Sequence, residues 1–160
     1  MDNPVVVATA TALVRGQLAT LRFDFGGVGR SEGTHGGGPD EVGDVQAATE
    51  LLRARLPAGA PLALAGYSFG AWAALNAAAL IPDVAHVVAV GPPIAFGDWA
   101  FLRTLAVPVT VVVGDRDQYC DVPRLRSLRE NLPVHVLHHA DHFLAGREDE
   151  VAAAVVSALA

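Results

Sequence analysis

The chain has no lysine. All eleven of its basic residues are arginine, scattered along 160 residues, and against 17 Asp and Glu they leave a net charge of −6. Nucleic-acid binding needs a basic face to neutralise phosphates, so that class of partner is excluded. The single cysteine, Cys120, excludes a disulfide framework and a cysteine-based zinc site. Charged residues are also sparse, at 18% against 52% hydrophobic, which excludes a disordered chain. Long uninterrupted apolar runs are missing: each is broken by Pro, Gly or a charge well short of the roughly 18 residues a membrane span needs. Pro4 to Val14 is apolar, but Asp2 precedes it where a signal peptide carries positive charge, so a cytoplasmic location is expected. The length suits one domain, residues 1–160.

What is present is an alternation of short apolar runs with helical patterns. Leu18–Phe25, Pro61–Ala65, Val84–Val90, Val107–Val113 and Val134–His138 read as five strands. They lack polar alternation, as strands covered on both faces do in a parallel sheet. Between them, helices open at Asn3–Pro4 (to about Arg15) and at Pro39–Asp40, and span Phe69–Leu80, Pro123–Asn131 and Arg147–Leu159. Asn3 is a good N-cap with Pro at the first helical position. Val42, Val45, Leu52 and Leu56, with Thr49 between, follow a 3–4 spacing that makes one stripe. Strand–helix alternation predicts an α/β fold with a mainly parallel sheet of about five strands.

The strongest chemical signal is Gly66-Tyr67-Ser68-Phe69-Gly70, a G-x-S-x-G motif between an apolar strand and a helix. That context puts Ser68 on a sharp strand-to-helix turn at the C-terminal edge of the sheet, with residues 66 and 70 required to be tiny by crowding backbone. The Phe69 N–H, at the helix N-terminus, then faces a developing oxyanion. A serine nucleophile needs a base, and the base an orienting acid. Two later strands run into loops that supply candidates: Gly114-Asp115-Arg116-Asp117, then His138-His139-Ala140-Asp141-His142-Phe143. Asp115 and Asp117 are rivals for the acid. Asp121, before Val122–Pro123, reads as a helix N-cap, and Asp141 as a residue fixing its own turn.

These segments resemble the α/β-hydrolase superfamily, and within it a small, lidless bacterial group. The similarity rests on Arg22–Gly33 (RFDFGGVGRSEG), Ala65–Ala71 (AGYSFGA), Val113–Asp117 (VGDRD) and Ala140–Phe143 (ADHF), in register through almost the whole chain. The resemblance implies a three-layer α/β sandwich and a Ser-His-Asp triad in which Ser68 is the nucleophile, His142 the base and Asp117, by its spacing from Gly114, the acid. It further implies hydrolysis of an ester-like or other small acyl substrate, with no cofactor and no metal. The group usually carries Arg where this chain has Gly26. The alternative is a non-catalytic or inactive hydrolase-fold protein that acts by binding, if at all.

Other features bear on ligand chemistry. His135, His138, His139 and His142 lie close in sequence, but on a strand entering a loop rather than on one helix face, and without a Cys or Glu ligand set. His86 and His135, within strands, read as structural histidines, and His35 as exposed. Gly26–Gly33 follows a strand, yet its glycines do not lead straight into a helix as a dinucleotide-binding turn requires. Cys120 reads as a small apolar filler. Among Trp72, Phe96, Trp99 and Phe101, one or two are candidates to line an acyl pocket. Gly91 to Leu105 is too short for an inserted lid.

The resemblance also implies an N-terminal deficit. In the group, a segment like HPHPxxGGTMDN precedes the first helix, and this chain begins Met1-Asp2-Asn3. A mid-sheet strand, and the loop giving the second oxyanion N–H, would lie before it. Three explanations compete: a misassigned start, a truncated relative, or direct pairing of the two strands on either side. The first is expected, because Met1 falls inside a motif.

Overall fold

The computed structural model describes residues 2–159; Met1, where the sequence reading places a wrong start, and Ala160 lie outside them. Asn3 opens α1 (Pro4–Arg15), its Oδ1 accepting from the amides of Val5 and Val6 at 3.0 and 3.3 Å. There follow α2 (Pro39–Arg53), β1 (Leu62–Tyr67), α3 (Phe69–Ala78), β2 (Val84–Val90), a 3₁₀ turn (Ala100–Arg103), β3 (Val109–Gly114), α4 (Val122–Leu128), β4 (Val134–Leu137) and α5 (Glu148–Leu159). Asp121 caps α4 by accepting from the Arg124 amide at 3.0 Å, the role its position suggested.

The four strands form one parallel sheet in the order β1-β2-β3-β4. A parallel ladder requires crossover connections, supplied by α3 between β1 and β2, by loop and the 3₁₀ turn between β2 and β3, and by α4 between β3 and β4. Side-chain alternation along the strands divides the core. Val87 and Ala89 of β2, with Val111 and Val113 of β3, pack in one cluster with residues of α2 and α3, including Val45 and Leu75. Val88, Val90 and Val112 face the other way, into a cluster with Val5 and Leu13 of α1 and Val151 and Val155 of α5. The result is a three-layer α/β sandwich. Gly91–Leu105 holds only loop and the 3₁₀ turn. No helix among the described residues is long and apolar enough to cross a membrane.

The fifth expected strand, Leu18–Phe25, is not in the sheet: its residues have no regular secondary structure and belong to no ladder. Its apolar alternation (Leu21, Phe23, Phe25) is strand-like, but a strand exists only where a neighbour accepts and donates along its backbone. None does here. A cavity of about 880 Å³ separates the segment from β1, walled by Leu18–Phe23 and Phe25 on one side and Leu62–Tyr67 on the other. The two segments therefore do not close up and pair.

Candidate active site

The registers Tyr67–Val90 and Gly114–Leu137 bring the C-terminal ends of the strands to one edge of the sheet. The turn between β1 and α3 is sharp: Ser68 has φ 53° and ψ −119°, a left-handed backbone that a non-glycine residue holds only when its surroundings enforce it. Three contacts do so. The Ser68 amide donates to Val90 O at 2.9 Å, and the Ser68 carbonyl accepts from the amides of Ala71 and Trp72. Gly66 is obligatory, since a β-carbon there would collide with the backbone carbonyl of Gly70. Gly70 departs from expectation. A β-carbon there would meet nothing within 4 Å beyond its chain neighbours and its own helix, because position 70 already lies in the first turn of α3.

Ser68, His142 and Asp117 come together. Ser68 Oγ lies 2.8 Å from His142 Nε2, and His142 Nδ1 lies 2.9 Å from Asp117 Oδ2. The Asp117 carboxylate is fully buried, and its Oδ1 also accepts from the amides of Tyr119 and Cys120 at 2.8 and 3.1 Å. Phe69 is the first residue of α3, where the leading amides have no acceptor within the helix. Asp115, the rival acid, lies apart from Ser68. Its Oδ1 accepts from the His139 amide at 2.8 Å, and its Oδ2 pairs with His138 Nδ1 at 3.3 Å. Partial burial pushes the Asp115 carboxyl up, but these histidine contacts outweigh it and hold it below the usual range. Asp141 fixes its own turn by accepting from the Phe143 amide.

The remaining histidines disperse. His138 meets Asp115, His139 meets Arg116, and His86 meets Thr110 Oγ1 at 2.9 Å, with burial lowering its affinity for a proton. His135 is exposed rather than structural, because β4 is an edge strand. Cys120 is buried. Its surroundings, then the charges of Asp117 and Asp121, push the thiol up to about 12. Of the four candidate aromatics, Trp99 is in the core, whereas Phe96 is exposed and packs 5.5 Å from the ring of Tyr119.

Several residues around the site carried no signal in the sequence. Tyr67 stacks on His142 at 5.7 Å and donates its hydroxyl to the His142 carbonyl at 3.0 Å. Tyr119 also meets that ring edge-on at 4.7 Å. The imidazole is thereby held in plane for both of its nitrogen contacts. Gly91, at φ 51°, leaves room for the pair, since a β-carbon there would stand 3.2 Å from Asp117 Oδ2.

Glu41 organises the glycine-rich loop beside Phe69. Its side chain is 1% exposed, and it accepts from the amides of Gly36, Gly37 and Gly38 at 2.7, 3.1 and 2.6 Å. It also pairs with His35 Nδ1 at 2.8 Å, and the His35 ring lies 5.5 Å from that of Phe69. Burial pushes the Glu41 carboxyl up, but the amides of Gly38, Gly37 and Gly36 outweigh it and hold it at about 2. The folded value lies below the unfolded one, so the stabilisation is complete above the unfolded value near 4.5 and is lost as pH falls toward 2. In an acid titration followed by far-UV circular dichroism, Glu41→Gln is expected to remove part of the wild type's loss of stability between pH 4.5 and 2. An unchanged acid limb would show that the carboxylate does not hold the loop.

A serine at a strained strand-to-helix turn, backed by a buried His–Asp pair in the loops after later strands of a parallel sheet, defines a class of fold. The family described as "Alpha/beta hydrolase domain" matches residues 1–155, and the chain belongs to it. Among solved structures it is similar to an alpha-beta serine hydrolase homologue from Coxiella burnetii (34% identity, TM-score 0.88), covering 100% of this chain and 78% of that one. It is also similar to a protein of unknown function from Agrobacterium tumefaciens (27% identity, TM-score 0.91), covering 99% of this chain and 77% of that one. An uncharacterised protein of Rickettsia prowazekii is 31% identical over 167 residues, spanning 97% of this chain and 70% of that protein.

Proposed function

We propose that the protein is a serine hydrolase that cleaves small ester-like acyl substrates through an acyl-enzyme on Ser68. The observation that carries this reading is the continuous relay from Ser68 Oγ through His142 to Asp117, at 2.8 and 2.9 Å. Ser68 Oγ attacks the acyl carbonyl as its proton passes to His142 Nε2. Asp117 holds Nδ1–H and stabilises the imidazolium. The carbonyl oxygen becomes an oxyanion near the Phe69 amide. Collapse breaks the bond to the leaving alkoxide, which takes the proton from Nε2. Water then attacks the acyl-enzyme with His142 as base, releasing the acid and restoring Ser68.

A fluorophosphonate probe, which phosphonylates an activated serine, is expected to add one label per chain. Ser68→Ala should abolish labelling and lower turnover of p-nitrophenyl acetate by about 10⁴–10⁶-fold. Labelling that survives the substitution would overturn the assignment. No labelling of the folded wild type would instead favour a protein that binds without catalysis.

A further inference from the structure

Two sets of aromatic rings adjoin Ser68, and only one of them is closed. Phe69, the next residue, lies 5.6 Å from Phe25, 5.5 Å from His35 and 5.5 Å from Trp72. Phe25, Phe69 and Trp72 are each half-buried, so these rings largely cover one another. The set around His142 is open. His142 meets Tyr119 at 4.7 Å and Phe143 at 5.9 Å, and Tyr119 meets Phe96 at 5.5 Å. Phe96 and Phe143 are 60% and 61% exposed, more than any other phenylalanine of the chain. Single exposed apolar residues are ordinary, but these two rings are grouped about one buried histidine.

Neither exposed ring rides on a slack loop. The Phe96 amide donates to Pro93 O at 3.0 Å, and the Phe96 carbonyl accepts from the indole of the core residue Trp99 at 2.6 Å. Beside it, the Ala95 amide donates to Tyr119 O at 2.9 Å, and Arg124 donates to Ile94 O at 2.7 Å. The Phe143 amide donates to Asp141 Oδ1 at 3.0 Å, and the next residue, Leu144, is sunk in the core. The backbone is tied down while the rings it carries stand in water. An apolar surface held in this way binds without a further ordering cost.

The chemistry at His142 decides which part of a substrate reaches these rings. In the reaction proposed above, the leaving oxygen takes its proton from His142 Nε2, so it comes within about 3 Å of that atom. Whatever that oxygen carries therefore starts beside the imidazole, in reach of rings centred 4.7 and 5.9 Å away. The carbonyl oxygen is instead drawn to the Phe69 amide. A flat ring suits the open set better than an alkyl group of equal bulk, because aromatic pairs gain from edge-to-face contact. Tyr119 and Phe143 already meet His142 in that manner, at 82° and 80°.

We infer that Phe96, Tyr119 and Phe143 form the leaving-group subsite, and that the esters cleaved are those of aromatic alcohols. This rests on the acyl-transfer reading of Ser68 and narrows its substrate class.

The test compares three esters. Benzyl acetate and methyl phenylacetate are isomers that carry the ring on opposite sides of the ester, and cyclohexylmethyl acetate replaces the ring by saturated bulk. Each kcat/KM is divided by the ester's own alkaline hydrolysis rate, which removes intrinsic reactivity. Benzyl acetate is expected to exceed both others by about tenfold. Phe96→Ala and Phe143→Ala should each raise KM for benzyl acetate several-fold, with a much smaller effect on methyl phenylacetate. Leu80→Ala removes an equally exposed side chain (62%) beyond the end of α3 and should leave the preference intact. Equal rates for the two isomers, or equal losses on both in Phe96→Ala, overturn the proposal. Parity of benzyl and cyclohexylmethyl acetate overturns it too, since the site would then read bulk and not aromaticity. A binding readout separates these failures from failure of the hydrolase reading. In the Ser68→Ala protein, benzyl alcohol is expected to shift the ring NMR signals of Phe96 and Phe143 more than cyclohexylmethanol does. Fluorophosphonate labelling without the benzyl preference overturns the subsite alone. Absence of labelling overturns the acyl-transfer reading, and the site then stands or falls as an aromatic-alcohol site on the NMR shifts. Shifts of the same rings with protein concentration, without ligand, would seat a second copy there and overturn the proposal.

Discussion

Asp117→Asn is expected to lower kcat by about 10⁴-fold while leaving KM and Tm nearly unchanged. The size of the effect follows from which way the new amide must face. Asp117 Oδ1 accepts two backbone amides, those of Tyr119 and Cys120, at 2.8 and 3.1 Å. An asparagine keeps its oxygen on those donors, because turning its NH₂ toward them would leave three donors facing one another in a buried site. Its NH₂ then takes the place of Oδ2, 2.9 Å from His142 Nδ1. Nδ1 must accept, the ring proton moves to Nε2, and the nitrogen facing Ser68 can no longer take the serine's proton. Steady-state kinetics on p-nitrophenyl acetate measures this directly. Asp115→Asn is the control, since Asp115 is held by the His138–His139 turn and does not touch His142. It should keep kcat within about tenfold of wild type. Equal losses in the two variants would remove the distinction between the rival carboxylates.

That rivalry shows where sequence reading stops. Asp115 and Asp117 follow the same strand two residues apart, and on residues alone either could be the acid. The family resemblance pointed to Asp117. The physical discrimination lies in how the loop folds back, with the amides of Tyr119 and Cys120 wrapping one carboxylate and the His139 amide the other. The four apolar runs that became strands were legible because each is short, apolar and bounded by turn residues, with β2 and β3 largely buried on both faces. The caps at Asn3 and Asp121 were legible because capping is local. Glu41 was not, because an acidic residue in the first turn of a helix reads as a solvated complement to the dipole. Only the return of Gly36–Gly38 over its carboxylate makes it a buried anchor. Tyr67 and Gly91 were illegible for the same reason, as their contacts join β1 and β2 to a histidine far along the chain. Leu18–Phe25 shows the converse. Its pattern is that of a strand, but pairing depends on a neighbour, and no such neighbour is among the described residues.

The second large effect concerns stability and activity together. Gly66→Ala is expected to lower Tm by about 6–12 °C, whereas Gly70→Ala leaves it within about 2 °C of wild type. Both positions are glycine in the motif, yet the elbow treats them differently. A β-carbon on Gly66 runs into the Gly70 carbonyl and comes within 2.7 Å of the Ala71 amide nitrogen. These are backbone atoms of the first turn of α3, and neither swings aside as a side chain would. Ala71 is fully buried and its amide is held by the Ser68 carbonyl at 2.9 Å, so relief requires α3 to move off β1 or Ser68 to leave φ 53°. Overpacking a core typically costs about 1–3 kcal/mol, and a backbone-to-backbone collision belongs at the upper end. At about 2–4 °C per kcal/mol for a domain of this size, a cost of about 3 kcal/mol gives the expected shift. Either mode of relief also displaces Ser68 Oγ from His142 Nε2, so Gly66→Ala should lose fluorophosphonate labelling even at temperatures where it stays folded. At Gly70 the β-carbon enters open space, and the gain in helix propensity, up to about 1 kcal/mol, offsets small adjustments. Thermal unfolding of the two variants, paired with labelling at 25 °C, separates the outcomes. A Gly66→Ala protein as stable and as reactive as Gly70→Ala would mean that the elbow does not depend on close approach of β1 to α3.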